Sequence, residues 1–84
     1  MDGNLDGDGA QGSAELDVTG LLCPLPVLKI RKRMTAMAPG DVLKVRATDP
    51  ATRIDIPHFC AETGHRLVSQ SEAGGIYNYA IQHR

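Results

Sequence analysis

The chain has 84 residues, of which 42% are hydrophobic and 23% are charged, and its net charge at pH 7 is −1. This length and composition indicate one small globular domain, and the near-neutral charge argues against a protein that binds nucleic acid stably. The first residues lack the basic start and the apolar run of a signal peptide, and no apolar stretch approaches the about 20 residues that a membrane span requires. We therefore expect a cytoplasmic protein that does not enter a membrane.

Residues 1–13 contain four glycines, three aspartates and few apolar side chains. Such a segment cannot bury enough surface to offset the entropy lost on ordering, so we predict an acidic, disordered tail. The folded domain is then expected to span residues 14–84. Within it, the alternation of Leu16 and Val18 predicts a first strand over 15–19, and Gly20 ends that strand.

A first helix is predicted over residues 24–38, with Pro24 at its first position and Pro39-Gly40 after its last. Its side chains at helical spacing form one apolar arc, which consists of Val27, Ile30, Met34 and Met37. Residues 41–48 alternate between apolar and polar side chains and therefore predict a second strand.

Asp49 is predicted as the N-cap of a second helix that begins at Pro50, continues to about Thr63 and closes at Gly64. Pro57 lies inside this segment and is expected to kink the helix or to split off its first turn. Two strands follow over 66–72 and 76–82, because Gly74-Gly75 between them is a strong hairpin signal.

The order strand, helix, strand, helix, strand, strand predicts an α/β (α+β) fold built as a two-layer sandwich. Two helices would cover one face of a four-stranded sheet. The last two strands pair antiparallel through their hairpin, whereas the helical connection between the first two strands permits a parallel pair. We therefore expect a mixed sheet.

Cys23 is the residue best placed for chemistry, because the sequence predicts it at the N-cap of the first helix. There the unpaired backbone N–H groups and the helix dipole favour a thiolate, so we expect a moderately lowered pKa. Pro24 and Pro26 restrict the backbone of the first turn and would make a rigid mount for the sulfur. Leu25 is expected to be exposed beside Cys23.

Cys60 shares a predicted helical face with Ile56 and Phe59, so we expect it to be packed against the sheet as a small apolar side chain. His58 is expected on the solvent side of the second helix, whereas an approach of His65 to Cys23 stays open. The spacing of His58, Cys60 and His65 is not one of the zinc patterns, so no metal site is predicted. No second cysteine lies near Cys23 to form a redox pair.

The motif Cys-Pro-Leu-Pro at residues 23–26 resembles that of the TusA family of small sulfur carriers, also called SirA-like or YedF-like proteins. The resemblance covers about residues 15–84. It extends to Leu16-Asp17, to Pro39-Gly40, to the stretch from Asp49 to Cys60 and to Gly-His-x-Leu at 64–67. Ile54 stands where a basic residue can occur in the family.

The resemblance implies the same two-layer sandwich. It also implies that Cys23 is the cysteine that carries a persulfide, and that Pro24 and Pro26 are supporting residues of the motif. It implies a cysteine desulfurase or a rhodanese-like protein as donor and a DsrE-like protein of the TusBCD type as acceptor. Transfer RNA 2-thiouridine synthesis, sulfur oxidation and molybdenum-cofactor synthesis are the pathways that it leaves open. No cofactor is expected on this chain, because the sulfur is held covalently and pyridoxal phosphate belongs to the donor enzyme.

We expect a monomer whose specificity comes from docking around Cys23. The docking residues predicted are Leu25, Leu28, Arg31, Lys32 and Asp49. Two alternatives remain. One is a regulatory or redox-sensing interaction module that turns over no sulfur. The other is an RNA-binding domain with the same strand and helix order, against which the near-neutral charge argues.

Overall fold

The structure is a computed structural model that describes residues 12–84. Four strands and two helices follow one another in the predicted order. They are β1 (Ser13–Val18), α1 (Leu25–Thr35), β2 (Val42–Ala47), α2 (Thr52–Thr63), β3 (Arg66–Ala73) and β4 (Ile76–Gln82). Among these residues, neither helix is long and apolar enough to cross a membrane.

The strands form one sheet in the order β1-β2-β4-β3. β1 and β2 pair in parallel, whereas β4 pairs antiparallel with β2 and with β3. Helix α1 packs against β1 and β2, α2 packs against β3 and β4, and the two helices contact each other. The predicted two-layer sandwich with a mixed sheet is therefore confirmed.

The core lies between the helices and the sheet and is almost entirely aliphatic. It is built from alternate strand residues and from one stripe of each helix, as the two periodicities require. Its buried apolar residues are Val18, Ile30, Met34, Leu43, Val45, Ala47, Ile56, Phe59, Cys60, Tyr79 and Ile81. The opposite sheet face carries polar side chains, among them an ion pair between Arg46 and Asp17 at 3.7 Å.

The first strand begins at Ser13, one residue before the predicted start of the domain. Most of the predicted tail, residues 1–11, lies outside the described residues. The last two residues assigned to the tail are structured, because Ser13 already belongs to β1 and the carbonyl of Gly12 accepts the N–H of Val42 at 3.0 Å. The N–H of Gly12 in turn donates to Oδ1 of Asp41 at 3.1 Å.

Helix α1 ends at Thr35, three residues before the predicted end. The N–H of Ala38 donates to Oδ2 of Asp41 at 2.9 Å, which draws residues 36–38 into a turn. One carboxylate, that of Asp41, therefore joins the end of α1 to the residue before β1. The turn formed by the local bond from Ala38 to Asp41 replaces the last three residues of the predicted helix.

Helix α2 differs from its prediction at the start and in the middle. It begins at Thr52, because the segment from Asp49 first forms a tight turn in which the carbonyl of Asp49 accepts the N–H of Thr52 at 3.0 Å. The helix then continues through Pro57 without a break. Of the two effects predicted for Pro57, the separation of the first turn is therefore wrong, and a kink stays a prediction. Its end at Gly64, with a positive φ of 84°, is as predicted.

Candidate functional site around Cys23

Cys23 lies on the loop that joins β1 to α1, and it is exposed. The loop turns at Gly20, whose φ of 82° is in the left-handed region that glycine adopts without strain. The N–H of Gly20 donates to Oγ1 of Thr48 at 2.8 Å, just beyond the end of β2. The loop is thus attached to the neighbouring strand before it reaches the cysteine.

Asp49 holds the backbone of Cys23 directly. Its Oδ2 accepts the N–H of Cys23 at 2.7 Å, and its Oδ1 accepts the N–H of Ala51 at 3.0 Å. One carboxylate therefore joins the cysteine loop to the turn that leads into α2. Both oxygens of Asp49 are bonded within the protein, so Asp49 positions the loop of Cys23, and its predicted docking role stays a prediction.

The relation of Cys23 to the helix start differs from the prediction. The N-cap of α1 is Pro24, so Cys23 lies one residue outside the helix, and the peptide bond between the two residues is cis. The N–H of Leu25 is already bonded to the carbonyl of Leu22 at 2.9 Å, and Pro26 has no N–H. The N–H of Leu25 is therefore not free to favour a thiolate, and Pro26 offers no donor.

The thiol instead faces a carboxylate. The carboxylate of Asp55, in the first turn of α2, is the largest cause that raises the pKa of the Cys23 thiol above its ordinary value, because hydrogen bonding to a carboxylate favours the protonated thiol. Partial removal from water raises the pKa further, as do the negative charges of Asp55 and Asp49. The prediction of a lowered pKa is therefore wrong, because hydrogen bonding to the neutral form and nearby anions both disfavour the thiolate.

A shallow pocket of about 200 Å³ opens beside the sulfur between the two helices. Its walls are formed by Cys23, Pro24, Val27, Arg31, Asp55, His58, Phe59 and Glu62. His58 is exposed, as predicted, yet it lies in the wall of this pocket, where its Nε2 is 3.4 Å from Oε2 of Glu62. The sequence analysis overlooked Asp55 and His58 as neighbours of Cys23.

Two signals in the sequence could have identified these neighbours. Asp55, His58 and Glu62 are spaced three and four residues apart, so they share one face of a helix. The carboxyl ends of two parallel strands lie at the same edge of a sheet, so the loops that follow β1 and β2 must be adjacent. Together, these two signals place the helical face of Asp55, His58 and Glu62 beside Cys23.

The surface around the pocket is apolar and cationic. Leu25 and Leu28 are 46% and 51% exposed, and Leu22 and Ile54 are 68% and 75% exposed. The guanidinium of Arg31 lies 5.1 Å from the ring centroid of Phe59, in the range of a cation–π contact. Lys32, one residue further along α1, is exposed. Exposure makes these side chains available to a partner, and their docking role stays a prediction.

The remaining cysteine and histidine lie apart from this pocket. Cys60 is 4% exposed in the core, as predicted, and burial raises the pKa of its thiol. His65 packs against the rings of Phe59 and His83, and its Nδ1 accepts the N–H of Arg84 at 3.2 Å. The structure does not bring His65 into the Cys23 pocket. Within residues 12–84 no group of three His, Cys, Asp or Glu side chains could hold a metal ion.

The sequence is similar to those of proteins from one family. Residues 14–83 match the family model described as "Sulfurtransferase TusA". A protein of Pseudomonas aeruginosa (strain LESB58) named sulfur carrier protein TusA is 54% identical over 69 residues, which cover 82% of this chain and 87% of that protein. The protein of the same name from Pseudomonas fluorescens (strain SBW25) is 51% identical over 67 residues, which cover 80% and 81%.

A crystal structure shares the fold. It is that of a SirA-like protein from Desulfitobacterium hafniense, which superposes with a TM-score of 0.74 over 82% of this chain and 95% of that chain. The sequence identity is 20%, so this likeness concerns the fold alone.

Proposed function

The chain belongs to the TusA family of sulfurtransferases, and from that premise we propose that it is a sulfur carrier. Cys23 takes a sulfane sulfur from a donor protein as a persulfide and passes it to a thiol of an acceptor protein. The relatives named sulfur carrier protein TusA support the carrier role. The position of Cys23 supports the assignment of the sulfur to this residue.

The observation that carries the proposal is the contrast between the two cysteines. Cys23 is exposed on an anchored loop beside a pocket, whereas Cys60 is buried in the core. A thiol must meet a donor persulfide in line with its S–S bond, so only an exposed sulfur can react with a partner protein.

The transfer is a relative of thiol–disulfide exchange. Sγ of Cys23 attacks the outer sulfur of the donor persulfide, a new S–S bond forms on Cys23, and the donor cysteine leaves as a thiolate. The same reaction with an acceptor thiol as nucleophile returns Cys23 to its starting form. The sulfur is held covalently throughout, and pyridoxal phosphate works in the donor enzyme when that donor is a cysteine desulfurase.

The surface beside Cys23 supports docking to such partners. Leu25 and Leu28 offer apolar area, and Arg31 and Lys32 offer positive charge, which suits a partner with an apolar patch rimmed by carboxylates. We propose a cysteine desulfurase or a rhodanese-like protein as donor and a DsrE-like protein as acceptor. Transfer RNA thiolation and sulfur oxidation are both compatible with this chemistry.

The alternative of a redox-sensing module draws less support from the site. Cysteines that sense oxidants are accessible and have a lowered pKa, because the thiolate is the form that reacts. The thiol of Cys23 is accessible, but its pKa is raised.

Incubation with a cysteine desulfurase, cysteine and pyridoxal phosphate, followed by intact-mass analysis, tests the proposal. We expect one added sulfur atom on the wild type and on Cys60→Ser, and none on Cys23→Ala. The sulfur should then leave the carrier when an acceptor protein with a free cysteine is added. An adduct that persists in Cys23→Ala would contradict the assignment.

A further inference from the structure

Asp55 and Cys23 line the same pocket, and the transfer reaction described above gives Asp55 no role. Asp55 is half-buried in the first turn of α2, where the helix dipole favours a negative side chain. Its carboxylate is the largest cause that raises the pKa of the Cys23 thiol. A general base must come within hydrogen-bond reach of the proton that it removes, and such bonds are often long without substrate and tighten in the reacting complex. Asp55 lies in the wall of the pocket that Cys23 also lines, where this approach is possible.

The other acceptors near the sulfur are already occupied. Both oxygens of Asp49 accept backbone N–H groups, from Cys23 and from Ala51. His58 and Glu62 face each other across 3.4 Å in the same pocket wall. Arg31, which enters the pocket from α1, is a cation and accepts no proton. Asp55 is therefore the carboxylate of this pocket that has no hydrogen bond or ion pair to another group among residues 12–84.

We propose that Asp55 is a catalytic residue that accepts the Cys23 proton as the sulfur attacks the donor persulfide. The inference rests on the proposed carrier function and adds the proton path to it. As Sγ bonds to the outer sulfur of the donor, the S–H proton passes to the Asp55 carboxylate. The S–S bond of the donor breaks, and the electron pair leaves with the donor sulfur as a thiolate. That thiolate takes the proton from Asp55, so the carboxylate is restored and all atoms and charges balance.

This arrangement explains why a carrier can keep its thiol protonated at rest. The raised pKa of Cys23 leaves little free thiolate at neutral pH, and the thiolate is the form that oxidants and unrelated electrophiles attack. If a base accepts the proton only during the attack, Cys23 can react with a docked donor although its thiol is protonated between transfers. Cys23 is thus protected between transfers.

The experiment measures two rates on the same variants. The first is the uptake of sulfur from glutathione persulfide and, separately, from a cysteine desulfurase with cysteine. The second is alkylation by iodoacetamide as a function of pH, which reports the thiolate fraction alone. The variants are Asp55→Asn and Asp55→Glu, with Glu72→Gln as a control that removes one exposed negative charge from strand β3, outside the pocket of Cys23.

The two rates should move in opposite directions in Asp55→Asn. Loss of the negative charge lowers the pKa of Cys23, so alkylation at neutral pH becomes faster and its midpoint moves to lower pH. Sulfur uptake should nevertheless become slower by roughly 10²-fold, the lower end of what a general base contributes. Asp55→Glu should recover part of the uptake, and Glu72→Gln should leave both rates as in the wild type. A merely structural role would not separate the two rates in this way.

Two outcomes overturn the inference and are distinguishable from each other. If the wild type takes up sulfur but Asp55→Asn takes it up at least as fast, Asp55 is not the proton acceptor and the carrier function stands. If the wild type takes up sulfur from neither donor while its thiol is still alkylated, the carrier function itself fails. Far-UV circular dichroism of Asp55→Asn shows whether the variant is folded.

Discussion

Oδ2 of Asp49 lies 2.7 Å from the backbone nitrogen of Cys23, across 26 residues of sequence. Because Oδ1 of the same side chain binds the N–H of Ala51, the reactive loop and the start of α2 are held by one carboxylate. The sulfur of Cys23 and the carboxylate of Asp55 therefore keep a defined relation. The positioning of this site depends on Asp49 as much as on the prolines beside the cysteine.

Replacement of Asp49 should loosen the loop. An alanine removes both hydrogen bonds, and we expect a loss of about 2 kcal/mol of unfolding free energy. Asparagine keeps one acceptor oxygen, so Asp49→Asn should lose about 1 kcal/mol. Urea unfolding measures both, and sulfur loading should fall further in Asp49→Ala. If both variants match the wild type in stability and loading, Asp49 does not position Cys23.

Thr52 and Tyr79 share a buried hydrogen bond whose direction can be assigned. The hydroxyl of Thr52 donates to the carbonyl of Asp49 at 2.7 Å, so the Tyr79 hydroxyl must donate to Oγ1 of Thr52, at 2.8 Å. Tyr79→Phe removes this donor and should cost about 1 kcal/mol. Thr52→Val removes the partner of the Tyr79 hydroxyl and a donor to Asp49, and should cost about 2–3 kcal/mol.

The double variant Thr52→Val/Tyr79→Phe distinguishes the pair from two independent effects. It should be less destabilised than the sum of the single variants, because it leaves no unpaired tyrosine hydroxyl. Urea unfolding of the wild type, the two single variants and the double variant gives the coupling free energy between the two hydroxyl groups. Strict additivity would mean that the two hydroxyl groups do not interact in solution.

Cys60→Ser should destabilise the protein without affecting sulfur transfer. A hydroxyl replaces a small apolar side chain that is 4% exposed in the core, which should cost about 1–3 kcal/mol. Sulfur loading of the folded fraction should equal that of the wild type, as measured by intact mass under conditions where the variant remains folded. Loss of loading at full stability would make Cys60 a relay thiol.

His65 should make stability depend on pH in the acidic range. Partial burial, followed by the nearby His83 and Arg84, lowers the pKa of His65 below its ordinary value of 6.5. The unfolded chain therefore binds a proton before the folded one does. This contribution to stability is present above pH 6.5 and is lost as the pH falls through the lower folded pKa.

The variant His65→Gln removes this titration and keeps a polar side chain. Its unfolding free energy should change less than that of the wild type between neutral and mildly acidic pH. Equal pH dependence in the variant and the wild type would exclude His65 as the source.

Local patterns in the chain were sufficient to predict the elements and the fold class. The alternation in β2 and the apolar stripe of α1 each arise from neighbours along the chain, because side-chain direction repeats with the backbone period. Gly64 and Gly74-Gly75 mark their turns because their positive φ angles favour glycine. The motif around Cys23 identified the family and the reactive residue for the same reason, since its residues are contiguous.

The environment of Cys23 required the folded chain. Its pKa depends on Asp49 and Asp55, which follow a different strand and reach the sulfur only because β1 and β2 pair in parallel. The sequence alone places Cys23 at a helix N-terminus and so predicts a thiolate, whereas in the folded chain the N–H of Leu25 is occupied and two carboxylates favour the thiol. Electrostatic interactions act through space over a few ångströms, so the sign of the shift follows from which side chains the sheet brings together and not from their order in the sequence.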